Sequence, residues 1–231
     1  RDVPCVSLAH QYLITEPIPE LTARDKKLPL IRDPDSSYYL RQEKDGLLLG
    51  PYEKNCRAHW LEADDPMPDD FSFQLYNDDL ERLEWYIEDA CARVPILGTA
   101  GITRVVNGTI PYTPDGLPLI GPMPGVQNAF EACVFTFGIV QAGGAGKLLA
   151  EMIIEGETES DSWAVDPRRF TDHVDVRYTA AKAIETYSHE YAMHFPQIQW
   201  PAGRNAKSSP LYDTLASAGA AFGSYGGWER A

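Results

Sequence analysis

Few residues in this 231-residue chain have the type and spacing for chemistry. His10 lies in Ala9-His10-Gln11-Tyr12, among β-forming residues. An imidazole there can hold or take a proton near neutral pH, or it can be a satisfied structural histidine. In Tyr38-Tyr39-Leu40-Arg41, a strand would place Tyr39 and Arg41 on one face. A phenol beside a guanidinium can hold a small carboxylate, and the same pair also suits an exposed edge strand. The run Gly143-Gly144-Ala145-Gly146 precedes Lys147 and an apolar stretch. It fails as a phosphate loop, because Gln141 stands where the first glycine is needed and Leu148 follows the lysine. Tight helix–sheet packing and a helix N-terminus facing a cofactor are both open readings of it. No nucleophile elbow and no paired-histidine spacing occurs, so hydrolase and metalloenzyme readings have little support. Asp64, Asp65, Asp69 and Asp70 are split by Pro66 and Pro68, with no calcium-loop glycine or glutamate, and read as a surface loop.

The elements that must position these residues are legible from periodicity. Val3 to Thr15 is predicted as one strand, or two broken near Ala9-His10. Glu16 to Glu20 is a proline-punctuated exit. Ser37–Gln42 and Leu47–Gly50 read as a hairpin closed by Glu43-Lys44-Asp45-Gly46. Residues 54–72 read as loop. A helix is predicted over Asp78–Val94, with Asp78 and Glu81 as a capping box and Pro95 as its stop. Leu80, Leu83, Ile87, Ala90, Cys91 and Val94 would form its buried face. Strands follow at Ile102–Ile110, Leu117–Ile120 and Ala129–Phe137, then a glycine-opened helix at Lys147–Glu155 closed by Gly156. Asp161–Phe170 reads as a polar connector and Arg177–His194 as helix. The pattern is α+β (α/β-like), with a boundary near residue 160.

Composition narrows the partners. A net charge of −14 and a pI near 4.7 disfavour nucleic acid and anionic membranes. The hydrophobic content of 44% is enough for a core. Cys5, Cys56, Cys91 and Cys133 are too dispersed for a zinc ribbon or a redox dithiol and fit a reducing compartment. No apolar run has the length of a membrane span. Both ends read as cut from a longer chain, since there is no initiator Met and no capped tail.

Several longer stretches carry a resemblance: His10–Glu16 (HQYLITE), Leu28–Glu53 (LPLIRDPDSSYYLRQEKDGLLLGPYE), Val106-Asn107-Gly108, Tyr112–Pro122 (YTPDGLPLIGP), Ser208–Asp213 and Gly227–Arg230. In order along the chain they resemble the dimethylglycine and sarcosine dehydrogenase family. That resemblance implies a mixed β-sheet substrate domain of a DAO-type flavoenzyme over 1–105. A return into the FAD domain would span 106–160. A connector and central domain, ahead of an aminomethyltransferase-like folate domain, would span 161–231. It implies FAD as cofactor, with the dinucleotide-binding fold and flavin-linking His outside this chain, so that the chain alone is inactive. It also implies tetrahydrofolate in a C-terminal domain outside it.

The implied reaction takes a hydride from the N-methyl carbon of a small N-methylated amino acid. His10 and Tyr39 match catalytic positions, with Tyr38 as the alternative and Arg41 as a carboxylate partner. Gly138, Ile139 and Val140 match the loop beside the flavin pyrimidine, and Pro118 falls in the cofactor-binding segment. Val134 stands where relatives commonly have Gly, and its side chain is expected to crowd backbone near the flavin. Val140, where oxidase relatives often carry a Lys near this loop, favours a dehydrogenase passing electrons to an electron-transfer flavoprotein. The resemblance implies a cytoplasmic location in a bacterium and the mitochondrial matrix in a eukaryote. A non-catalytic regulatory relative of the same fold is the competing reading.

Overall fold

A computed structural model describes residues 2–231. Its elements are β1 (Val6–Thr15), α1 (Pro19–Thr22), β2 (Ile31–Asp33), β3 (Tyr38–Glu43), β4 (Gly46–Pro51), β5 (Ala58–His59), α2 (Glu84–Arg93), β6 (Ile102–Tyr112), β7 (Leu119–Pro122), β8 (Phe130–Cys133), α3 (Gly138–Ile154), α4 (Val176–Ser188), α5 (Tyr212–Ser217), β9 (Gly223–Tyr225) and β10 (Trp228–Arg230). They fall into two units. Ser7–Ile110 with Thr186–His194 forms a sheet unit; Pro111–Glu185, Phe195–Ala231 and the described residues up to Val6 form a helix unit.

In the sheet unit the strands run β2-β3-β4-β1-β5, with β6 also pairing β1. The β2–β3, β3–β4, β1–β4 and β1–β5 pairings are all antiparallel. The predicted hairpin closes with Glu43 opposite Gly46, and Lys44 in the turn takes the left-handed conformation at φ 52°. β1 is a single strand. The discontinuity expected near Ala9-His10 is a change of partner, from β5 (Leu8 opposite Ala58) to β4 (Leu13 opposite Leu49). There the Ala9 N–H donates to the Arg57 carbonyl at 2.8 Å, which keeps the backbone satisfied across the change.

Period-2 alternation gives this sheet two unlike faces. Leu13, Tyr38, Leu40, Leu47 and Leu49 turn inward onto Leu83, Tyr86 and Ala90, with Leu97, Ile18 and Leu21 closing the cluster. Each fully buried leucine contributes roughly 1.5–3 kcal/mol of transfer free energy. The helix beneath differs at its start from the sequence expectation. Leu80–Leu83 is a 3₁₀ turn leading into α2, and no side chain of the expected capping box caps it. The fully buried Gln11 anchors the residue before the turn instead: its Nε2 donates to the Asp79 carbonyl at 2.8 Å and its Oε1 accepts from the Asp79 N–H at 3.3 Å. The Asp79 carboxylate is thereby left for Arg82 (3.3 Å) and Arg57 (3.2 Å). Leu80, expected on the buried face, is exposed as a consequence of that turn.

In the helix unit, β7 and β8 form a hairpin with Leu119 opposite Cys133, and Leu119 and Ile120 are buried. Arg169 grips the turn before β7, donating Nε and Nη2 to the two Asp115 carboxylate oxygens at 2.7 and 2.9 Å and Nη2 to the Leu117 carbonyl at 2.8 Å. β8 ends earlier than expected because Val134 lies at φ 57°, a conformation a strand cannot contain. α3 begins nine residues before Lys147, at Gly138. Gly143, Gly144 and Gly146 therefore lie inside this helix, and neither open reading of the glycine run describes them: a Cβ at any of the three would meet nothing within 4 Å. The predicted stop holds, with Gly156 at φ 83° just after the helix. α4 ends at Ser188, six residues short of the expected His194. The short β5, helix α5 and the β9–β10 hairpin have too few periodic residues to read from sequence.

Candidate functional site

The second face of the sheet, opposite the leucines, carries the chemistry. On β1 from His10 onward the half-buried residues are His10, Tyr12 and Ile14; on β3 they are Tyr39, Arg41 and Glu43. Tyr39 lies opposite Gly50 on β4. Glycine there leaves room for the Tyr39 ring in this pose, since a Cβ at Gly50 would sit 2.2–2.5 Å from that ring and its hydroxyl. The missing side chain lets the phenol lie across the sheet. The next residue along this face of β4 is Tyr52, whose ring lies 5.0 Å from that of His10.

His10 and Tyr39, selected from the sequence, are thus on one face. Tyr38, its alternative, is on the other: its side chain is 0% exposed in the leucine core, because adjacent strand residues point to opposite sides. It is placed away from any ligand on the His10 face. Arg41 shares that face, but its Nη1 is paired with the Glu43 carboxylate, which occupies the charge expected to meet a substrate carboxylate. Residues that sequence reasoning missed complete the wall. Tyr187 contacts His10, and Tyr191 packs edge-on against Tyr39 (6.1 Å) and Tyr52 (4.9 Å), with the Arg32 guanidinium 4.1 Å from its ring centre. Both come from Thr186–His194, far from the sheet strands in sequence, where no local signal marks them.

Burial pushes the His10 pKa down to about 4, so the ring is neutral at pH 7. Burial, with the neighbouring Tyr191 and Tyr12 hydroxyls, pushes Tyr39 up to about 12 against the lowering effect of Arg41. Tyr52 is raised further still by burial and by Tyr191 and Glu190. The face therefore presents neutral phenols and a neutral imidazole. Aromatic faces attract an alkylammonium through their quadrupoles, and an uncharged imidazole beside them does not repel it. Such a face can bind an amine and offer a ring nitrogen for its proton.

Elsewhere in the same unit, Glu53 and Arg82 form a buried pair at 3.2 Å. Burial outweighs the guanidinium and raises Glu53 to about 7. All four cysteines are free thiols, and burial pushes Cys5 up to about 11 and Cys56 to about 12, which makes them poor nucleophiles.

The helix unit offers one feature suited to an anionic or electron-rich ligand. α3 opens at Gly138 with no side-chain cap from Phe137, and Ile139 and Val140 in its first turn are 96% and 82% exposed. Gln141 reaches back to the Phe137 N–H at 3.3 Å, which fixes the turn without covering the next two N–H groups. These backbone donors, with the positive end of a 17-residue helix behind them, fit a flavin ring edge that gains negative charge. Pro118, also expected near the cofactor, is buried just before β7.

Comparison with known proteins decides the family. The family model for FAD dependent oxidoreductase (DAO) matches residues 1–152. The chain belongs to this family. The model for the FAD dependent oxidoreductase central domain follows at residues 155–209. Among curated relatives of this family member, the mitochondrial dimethylglycine dehydrogenase of Mus musculus is 41% identical over 234 residues, covering 99% of this chain and 27% of that protein. The mitochondrial sarcosine dehydrogenase of Mus musculus is 37% identical over 233 residues, covering 99% and 24%. The chain thus spans about a quarter of the length of these relatives. The crystal structure of L-proline dehydrogenase from P. horikoshii superimposes with a TM-score of 0.52 over 73% of this chain and 41% of that one, at 24% identity. That likeness concerns the fold, a DAO-type mixture of helices and antiparallel sheet. No helix of the described residues is long and apolar enough to cross a membrane.

Proposed function

We propose that this chain supplies the amine-binding sheet and one flavin-facing helix of an FAD-dependent dehydrogenase for N-methylated glycines such as dimethylglycine or sarcosine. The observation that carries this reading is the grouping of His10, Tyr39 and Tyr52 on the sheet face opposite the leucine core, with Gly50 vacating the space for the Tyr39 ring. The substrate class is taken from relatives that are 37–41% identical over nearly the whole chain.

In this reading Tyr39 and Tyr52 hold the ammonium by their faces. His10 takes a proton from it, so that the nitrogen lone pair is free before the N-methyl C–H bond breaks. When bound, FAD supplies the hydride acceptor. Gly138 and Ile139 would hold its pyrimidine edge through backbone N–H groups, with Val140, whose own N–H donates to the Phe137 carbonyl at 3.1 Å, completing the turn beside it. Arg41 is kept as a carboxylate partner only if Glu43 releases it. Capture of the one-carbon unit by tetrahydrofolate and delivery of electrons to an electron-transfer flavoprotein complete the scheme as extensions implied by the sequence resemblance.

The test is amine-dependent dye reduction by the full-length encoded protein with bound flavin. Turnover with dimethylglycine or sarcosine is the expected result. Bound flavin without turnover on either amine contradicts the reading and favours a non-catalytic regulatory relative.

A further inference from the structure

Tyr187 is separated from His10 by 177 positions, yet its hydroxyl lies 2.8 Å from His10 Nδ1. It sits in the last turn of α4, within the Thr186–His194 segment that belongs to the sheet unit. The ring is fully buried, edge-on to His10 at 5.8 Å and tilted against Tyr52 at 4.9 Å. Four residues on, Tyr191 continues the same aromatic wall over Tyr52 and Tyr39. Among the described residues, no carboxylate pairs with His10. Its titratable neighbours are Tyr52 from β4 and Tyr187 from α4. Behind them, Glu190, Tyr39 and Tyr191 act on Tyr52, and Arg32 acts on Tyr191.

We propose that Tyr187 is a positioning residue for His10, and that Thr186–His194 is part of the amine site. Imidazole has two nitrogens, and engaging Nδ1 fixes the ring and leaves Nε2 for the ligand. For Nε2 to accept a proton, the neutral ring must carry its hydrogen on Nδ1, and the Tyr187 oxygen is the acceptor that holds this tautomer. When an alkylammonium N–H gives its proton to Nε2, the electron pair of that bond stays on the amine nitrogen. The Nδ1–H then donates to the Tyr187 oxygen, which steadies the new imidazolium where no carboxylate does so. This inference rests on the amine-site reading above.

The experiment is a double-mutant cycle in the full-length flavin-loaded protein, with His10→Ala and Tyr187→Phe, reading kcat/KM for the amine against pH together with flavin content. Tyr187→Phe keeps the ring and removes the hydroxyl. It is expected to lower kcat/KM roughly 10-fold and to move the acid limb of the profile to lower pH, since the imidazolium loses its acceptor. In the His10→Ala background the same change is expected to cost nothing further. As a second probe, 3-fluorotyrosine at position 187 weakens the acceptor with little change in volume. It should shift the acid limb the same way at unchanged melting temperature. Additive losses in the cycle, or an unmoved pH profile with both probes, overturn the positioning role while leaving the amine site standing. A wild-type rate in His10→Ala overturns the amine-site reading, and this proposal with it.

Discussion

The two faces of the six-stranded sheet are built from alternate residues of the same strands, and they do different work. One face is aliphatic, with Leu13, Leu40, Leu47 and Leu49 locked onto α2; the other is aromatic and polar, with His10, Tyr12, Tyr39, Tyr52 and Arg41. The difference is sharpest between neighbours. Tyr38 and Tyr39 share a residue type, and Leu49 and Gly50 share a strand, yet in each pair one member holds the fold and the other shapes the site. Residue type alone does not assign a role here. The face does.

Substitutions that respect this division should separate stability from catalysis. Leu49→Ala should have the largest effect on folding, about 2–5 kcal/mol by denaturant titration. Its neighbour tests the opposite face. Gly50→Ala pushes the Tyr39 ring off the sheet and should lower kcat/KM for the amine about 10-fold, with a folding cost of only about 1–3 kcal/mol by the same titration. If the two changes act alike on both quantities, the division between faces is wrong.

A pH-dependent difference isolates His10. Its folded pKa lies below its unfolded value, so between pH 6.5 and about 4 the unfolded chain binds more protons and the contribution of the neutral ring is lost as pH falls. Glu53, raised to about 7, works in the opposite sense, so total stability is the wrong observable. Comparing His10→Gln with wild type cancels that term. The variant should gain relative stability as pH drops through this window, by about 3 kcal/mol, measured as the difference in melting temperature. A flat difference curve would place His10 in water. The smallest effect lies outside the sheet: Val134→Gly relieves a β-branched residue at φ 57° and should raise stability by about 1 kcal/mol in thermal melts.

Much of the sheet unit was legible because its signals are local. The Asp-Gly hairpin, the alternation around Tyr39 and Leu40, and Pro95 as the stop for α2 all act through adjacent residues. What was hidden depends on distant partners. Gln11 anchors Asp79, at the start of the turn into α2, from 68 residues away. The glycines of 143–146 look like a turn, yet α3 runs through them from Gly138. The local setting of His10 and Tyr39 left structural roles open and the family resemblance singled them out, whereas Tyr187 and Tyr191 become visible only when α4 has brought them to the sheet. Arg41 fitted a carboxylate-binding pattern by spacing, but the pattern could not show that Glu43, two residues on along the same face, takes its charge.

Anaerobic reduction of the bound flavin, followed by its absorbance after mixing the full-length protein with dimethylglycine or sarcosine, tests the role of the aromatic face most directly. The account predicts that His10→Ala slows bleaching by about 100-fold or more at unchanged flavin content. Bleaching by His10→Ala at the wild-type rate would contradict it.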